Sequence, residues 1–335
     1  MSDLVLVENP NLEWFKKDPT HLIEHFSSLS LLKVKGKKKE PLFVSVLLHG
    51  NEWSGYRALQ RLLKKYEGRE LPRSLIIQLG NLEAAQENKR FLSSQLDHNR
   101  IWDGGASPRQ QKAQKILNFL SEQELFAGVD LHNTSGKNPF YAAVNTMEKE
   151  SLILAGLFSP HLVYFEEPRS ACSLALAKFC PAMTVEAGQS EEEAGIQRSY
   201  EFLDQLLRLD SLEEKTSVMA QIDVYESFGR LRIPEGCSFV FRSEEEESDL
   251  SIRGDLENLN FTNIKVGTPL GSYFSDKRLE ILDPSGRDIS DEFLKYDQDG
   301  QITVTQAFVP SMLTTNEEIV RQDILGYLMR RKEIS

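Results

Sequence analysis

Three apolar runs of this chain each end in a residue able to hold a metal ion or move a proton. PLFVSVLLHG reaches His49, FAGVDLHN reaches His132 and PAMTVEAG reaches Glu186. The HGNE segment adds Glu52, three positions after His49 across a turn from strand to helix, a spacing that lets an imidazole and a carboxylate point at one centre. With His132 as the third group, the set is two histidines and one glutamate with an open fourth position, a ligand set that zinc hydrolases use. Zinc so held draws the pKa of its bound water towards ~7 and polarises a carbonyl oxygen. Glu186 would take the water's proton and pass it to a leaving amine. Taken singly the residues say little, since HxxE recurs by chance and a lone histidine is more often a hydrogen-bonded core or loop residue. A carboxylate closing a buried strand is costly without a metal or cationic partner. The conjunction carries the reading.

Residues this far apart in sequence meet only if the elements beneath them share an architecture. The first 130 residues alternate buried, strand-like runs with helical patterns, which is the behaviour of an α/β protein with a mixed, mostly parallel sheet flanked by helices. Strands are expected at 41–50, 74–81, 126–133, 161–167 and 181–188, and helices at 53–66, 148–158 and 191–209. In the first helix Tyr56, Leu59, Leu62 and Leu63 fall on one face. The carboxyl ends of the strands of an open sheet converge on one crevice, so His49, His132 and Glu186 can gather there. Past about residue 215 the texture changes to short strand-like pieces separated by Gly, Pro, Asp and Asn. This predicts a catalytic domain over 1–212 and a smaller β-rich domain over 213–335. The acidic run EEEESDLS (244–251) reads as a solvated loop, and the basic run KVKGKKKE (33–40) as an exposed hairpin or turn rather than a phosphate site.

Composition narrows the function. The 335 residues, 40% hydrophobic and 27% charged, suffice for two folded domains, and the net charge of -12 leaves no basic surplus for nucleic acid. An anionic substrate must therefore be drawn in by local Arg or Lys. Cysteines stand only at 172, 180 and 237, without a CxxC pair, which points to a reducing cytoplasm. The N-terminal MSDLVLVENPNLEWF lacks the pattern of a signal peptide, and no window holds the ~20 apolar residues of a membrane span. A soluble protein with no membrane partner is expected.

The motifs LLHGNEWSG, LDHNRIWDG, GVDLHNTSG and AMTVEAG, in that order over roughly the first 210 residues, resemble those of the succinylglutamate desuccinylase and aspartoacylase branch of the zinc carboxypeptidase superfamily. The resemblance implies a zinc-carboxypeptidase-like catalytic domain and a C-terminal β domain that covers the active site. It places one zinc ion per chain on His49, Glu52 and His132, and the catalytic carboxylate on Glu186. The family's DxNR motif falls on Asp97, His98, Asn99 and Arg100, where Asn99 and Arg100 would bind the substrate carboxylate, a guanidinium being a rigid fork matched to that group. Glu83 stands where aspartoacylases carry a carbonyl-polarising arginine. Arg90, in NKRF, is the nearest replacement and would stabilise an oxyanion. Arg169, in EEPRSA, is a candidate for the acyl-side carboxylate. His98 replaces an aliphatic residue and is read as packed or hydrogen-bonded, and Tyr141 and Tyr164 as core or pocket lining.

The leading expectation is thus zinc-dependent hydrolysis of the amide bond in a small N-acyl amino acid. The second is a metallocarboxypeptidase acting on peptides or peptide-like substrates, and the third a binding module that keeps the fold without turnover. Cobalt or manganese could also occupy such a site. The oligomeric state is open, a homodimer included.

Overall fold

A computed structural model describes residues 4–241, 248–322 and 324–334. The chain forms two compact units: Met1–Asn133 with Phe140–Val224, and Tyr225–Glu333 with the six residues Thr134–Pro139.

The first unit is an α/β layer structure. Its strands are β1 (Leu6–Glu8), β2 (Ser30–Val34), β3 (Gly36–Val46), β4 (Leu71–Leu79), β5 (Ala127–His132), β6 (Tyr141–Val144), β7 (His161–Tyr164) and β8 (Ala182–Glu186). They lie in the order β1-β2-β4-β3-β5-β8-β6-β7. The central run β4-β3-β5-β8 is parallel, while β2 pairs antiparallel with β4 and β6 antiparallel with β8. The sheet is therefore mixed and mostly parallel, as expected. Strand β3 owes its central place to its composition: Leu42, Phe43, Val44 and Val46 are buried on both faces, as a parallel strand covered by helices requires.

The α-helices among the described residues of this unit are α1 (Ser54–Lys65), α2 (Leu82–Gln86), α3 (Pro108–Ser121), α4 (Lys149–Phe158), α5 (Cys172–Leu176) and α6 (Glu193–Arg208). Tyr56, Leu59, Leu62 and Leu63 of α1 pack with Leu152 to Phe158 of α4 and Phe202 to Leu207 of α6 on one face, against Val44, Val129 and Val185. Ala113, Ile116 and Leu120 of α3 and Cys172, Ala175 and Leu176 of α5 cover the other, against Phe43, Ile76 and Ala182. Burying one such Leu or Phe contributes roughly 1.5–3 kcal/mol, so the two faces together hold the sheet that positions the site. No helix among the described residues is long and apolar enough to cross a membrane.

Two readings of charged runs need correction. Residues 36–40 of the basic run are not a hairpin but the opening of β3, and β2 and β3 both pair with β4 instead of with each other. Lys38 explains part of this: its Nζ donates to the carbonyls of Arg208 and Leu209 at 2.8 and 2.7 Å, tying the start of β3 to the C-terminal end of α6, where a cation is favoured. In the acidic run, residues 244–247 lie outside the described residues. Leu250–Ile252 is a buried strand, because its three residues pair on both sides within the sheet of the second unit.

That second unit is built from short strands. Among the described residues, Phe239–Phe241, Leu250–Ile252, Pro269–Tyr273, Gln301–Val304 and Leu294–Tyr296 form a five-stranded sheet in that spatial order. Strand Asp223–Arg232 pairs with Glu280–Leu282, and Val309–Ser311 with Gly326–Lys332. Its core includes Leu231, Phe239, Ile252, Ile281, Ile302 and Leu328. The segment Thr134–Pro139 belongs here: Asn260 Nδ2 donates to the carbonyls of Lys137 and Leu313, both at 2.9 Å.

Candidate metal centre

The site grows from the ends of β3, β5 and β8. Strand β3 stops at Val46, and Leu47 turns the chain with a φ of 61°, a left-handed conformation that costs a branched residue roughly 1–2 kcal/mol. His49 therefore lies on the turn beyond the strand, not on the strand itself. Gly50 lets that turn press on α2, since a Cβ there would come within 2.3 Å of the Ala84 carbonyl carbon. His132 and Glu186 are the last residues of β5 and β8 and face each other in register.

These elements bring His49, Glu52 and His132 together, all buried, with one donor atom from each lying within 4.8 Å of the others. Glu52 Oε1 is 2.8 Å from His49 Nδ1, and Oε2 is 2.7 Å from His132 Nδ1. The two Nδ1 atoms are 3.2 Å apart. The outer nitrogens are spoken for: His49 Nε2 meets Asp97 Oδ1 at 3.0 Å, and His132 Nε2 meets Asp130 Oδ2 at 2.9 Å. A carboxylate accepts, so each Nε2 carries a hydrogen, while each Nδ1 faces a Glu52 oxygen and would turn a lone pair inwards where a cation takes the place of the proton shared with Glu52. Two lone pairs face to face repel unless a cation or a proton lies between them. Their spacing also fits the ~3.3 Å edge of a tetrahedron with Zn–N bonds of ~2.0–2.1 Å. The donor set therefore fits a divalent cation.

Electrostatics follow from the same crowding. Burial alone would raise the Glu52 carboxyl, but the two imidazoles hold it well below the usual carboxylate range. Asp97 is likewise held far down by His49 and Arg90 against its burial. Burial opposes charge on His132, yet Asp130 and Glu52 raise it well above an ordinary histidine. Glu186 behaves oppositely: burial pushes it well above the carboxylate range, with His132 only partly offsetting. Its Oε2 has no hydrogen-bond partner among the described residues.

Around this core the DxNR segment is fixed from two sides. Asp97 Oδ1 also accepts from the Asn99 backbone N–H at 2.7 Å. Asn99 Oδ1 accepts from the Cys172 N–H at 2.9 Å, which turns its amide nitrogen to 3.4 Å from His132 Nε2. That ring nitrogen already donates to Asp130, so the Asn99 N–H groups remain available to another acceptor. Arg90 reaches 3.5 Å from both Glu52 Oε1 and Asp97 Oδ2. Arg100 donates to the Asn99 carbonyl at 2.8 Å. Arg169 is not gathered into this group: its side chain is 80% exposed and pairs with Glu167. Glu83 accepts from Ser28 and pairs with Arg109. Tyr141 stands opposite Glu186 on β6.

Sequence reasoning gave no role to Asp130 or Asn133. Asp130 had a signal, since VDLH places it two residues before His132 on the same strand face. Asn133 had none: its N–H donates to Glu52 Oε2 at 3.1 Å, and its side chain joins Ser54 Oγ and the Gly188 carbonyl at 2.9 and 2.8 Å.

A mixed sheet whose strand ends converge on two histidines and a glutamate defines an α/β protein with a candidate metal centre. The family model of the succinylglutamate desuccinylase/aspartoacylase catalytic domain matches residues 40–208, and the chain belongs to that family. No curated protein matches it. Among solved structures it is similar to a succinylglutamate desuccinylase/aspartoacylase from Rhodobacter sphaeroides, at 13% identity and a TM-score of 0.58 over 91% of this chain and 90% of that one. Murine aminoacylase 3 matches at 15% identity and a TM-score of 0.54, over 88% and 96%. A succinylglutamate desuccinylase from Chromobacterium violaceum matches at 14% and 0.54, over 90% and 87%. At these identities the likeness establishes the fold.

Proposed function

We propose that the chain hydrolyses the amide bond of a small N-acylated amino acid, with His49, Glu52 and His132 holding one zinc ion and Glu186 moving the protons. The observation that carries this reading is the buried Glu186 carboxyl, without a partner at Oε2 among the described residues, set in register with a histidine whose Nδ1 faces the candidate metal centre. Zinc in such a site supplies a water acidified towards a pKa of ~7 and a Lewis acid for the carbonyl.

The chain's own residues do the rest. Glu186, raised by burial and pulled back by neighbouring positive charge, takes the proton of the attacking water and returns it to the amine nitrogen as the C–N bond breaks. Arg90, held against Glu52 and Asp97, lends positive charge to the oxyanion that forms at the carbonyl. Asn99 and Arg100 bind the amino-acid carboxylate, Asn99 through the amide that Cys172 has oriented. The three free thiols, Cys172, Cys180 and Cys237, support the cytoplasm as the place of work.

A hydrolysis screen of acetyl, succinyl and other acyl amino acids beside short peptides, with zinc measured on the same sample, tests the reading. Turnover of acyl amino acids by protein holding one zinc per chain is expected. Cleavage of peptides alone would make the chain a metallocarboxypeptidase instead.

A further inference from the structure

Beneath the metal centre runs a row of polar side chains that the proposed reaction leaves without a task. Strand register sets Gln78 of β4, Ser45 of β3, Asp130 of β5 and Thr184 of β8 at one level across the sheet. Residues in register project from the same face, and this is the face on which His132 and Glu186 follow two residues later. Gln78, Ser45 and Asp130 are 0% exposed and Thr184 is 6% exposed. The covering layer is apolar, with Trp102, Ile101 and Leu176 among its residues.

Thr184 is satisfied, since its Oγ1 donates to Ser173 Oγ at 2.9 Å. The other three are not. Among the described residues, Ser45 Oγ, Gln78 Oε1, Gln78 Nε2 and Asp130 Oδ1 have no hydrogen-bond partner. Unpaired polar atoms this deep are costly, and a row of Leu and Ala would fill the same place without that cost. Several donors and acceptors side by side across strands ~4.8 Å apart are, however, what an ordered internal water needs, with two to four polar partners around it. Asp130 is also the residue whose other oxygen holds His132.

We infer that Ser45 and Gln78 are positioning residues of the metal centre. They hold ordered water against Asp130 Oδ1, fix the rotamer of that carboxylate, and so aim the Nδ1 lone pair of His132 at the cation. Neither touches substrate or metal. The inference rests on the metal-site reading above and extends it one layer further into the sheet.

The test is zinc affinity by chelator competition on the full chain, read beside the thermal unfolding of the zinc-stripped protein. Ser45→Val and Ser45→Thr have the same shape and differ in one hydroxyl; Gln78→Met keeps the volume and removes the amide. Losing an outer partner of a ligand costs 10–100-fold in metal affinity, so Ser45→Val and Gln78→Met should bind zinc about tenfold more weakly, with Ser45→Thr within about threefold of wild type. The zinc-stripped Val and Met variants should unfold no earlier than wild type, because a buried polar burden has been removed, whereas a merely structural role would lower their Tm. Should Gln78→Met fail to fold, the Ser45 pair decides alone. Equal affinity in Val and Thr variants, or loss of affinity in step with loss of Tm, overturns the inference. Failure of wild type to bind zinc at all would instead strike the metal-site reading, and this one with it.

Discussion

Asp130 Oδ2 lies 2.9 Å from Nε2 of His132, two residues along the same strand, so one strand face supplies both a candidate ligand and the group that orients it. Such a carboxylate fixes the tautomer and strengthens the imidazole as a donor. Asp130→Ala should therefore weaken zinc binding by about 10–100-fold while His132 itself is unchanged. Chelator competition measures this, and undiminished affinity would remove Asp130 from the centre.

Glu186 is the group to separate metal binding from turnover. Glu186→Gln keeps the shape of the side chain and removes its capacity to accept a proton. The variant should retain one zinc per chain and lose at least ~10²-fold in kcat. A fully active variant would end the assignment of proton transfer to this residue.

Two candidates for substrate binding are placed differently enough to be told apart. The Asn99 amide is oriented by Cys172 and faces the edge of His132, whereas the Arg169 side chain is 80% exposed. A hydrogen bond to a charged group contributes roughly 1.5–3 kcal/mol, so Asn99→Ala should lower kcat/KM for an acyl amino acid about tenfold or more. Arg169→Ala, which loses only a surface pair, should stay within about twofold. Steady-state kinetics on both variants decide, and the reverse ranking would move the carboxylate site to the Arg169 loop.

His98 is fully buried, and neither ring nitrogen has a hydrogen-bond partner among the described residues. Burial, then the charge of Arg109, pushes it down to about 4. In the unfolded chain it titrates near ~6.5, so between these values the unfolded chain holds a proton that the folded one does not. Its contribution is thus fully present above about pH 6.5, declines as pH falls towards about 4, and levels off below, a step of roughly 3 kcal/mol. His98→Leu lacks this step. In urea unfolding at about pH 7.5 and about pH 4.5, the stability of the variant relative to wild type should rise at the lower pH. A difference that does not change with pH would mean that His98 is charged in the folded protein.

Much of the architecture was legible because long apolar runs leave little choice. PLFVSVLL, GVDL and AMTV read as buried strands, and their ends located His49, His132 and Glu186. Lys37 to Lys39 misled because charge suggests a turn, although Lys38 finds carbonyls at the end of α6, 170 residues away in sequence. Strand β6 went unread because YAAV is short and offers two small residues, while its antiparallel place beside β8 is set by packing. Asn133 could not be seen either, since its role depends on which way Glu52 turns.

The six residues Thr134–Pro139 begin two positions after His132 yet are held by Asn260, with Asn138 Oδ1 accepting from the Met312 N–H at 3.0 Å. Autonomy of the first unit is thereby interrupted in mid-chain. A protein truncated after Val224 would retain every candidate ligand but deprive the stretch beside His132 of its anchors, so a fragment that expresses well need not reproduce the chemistry of the whole.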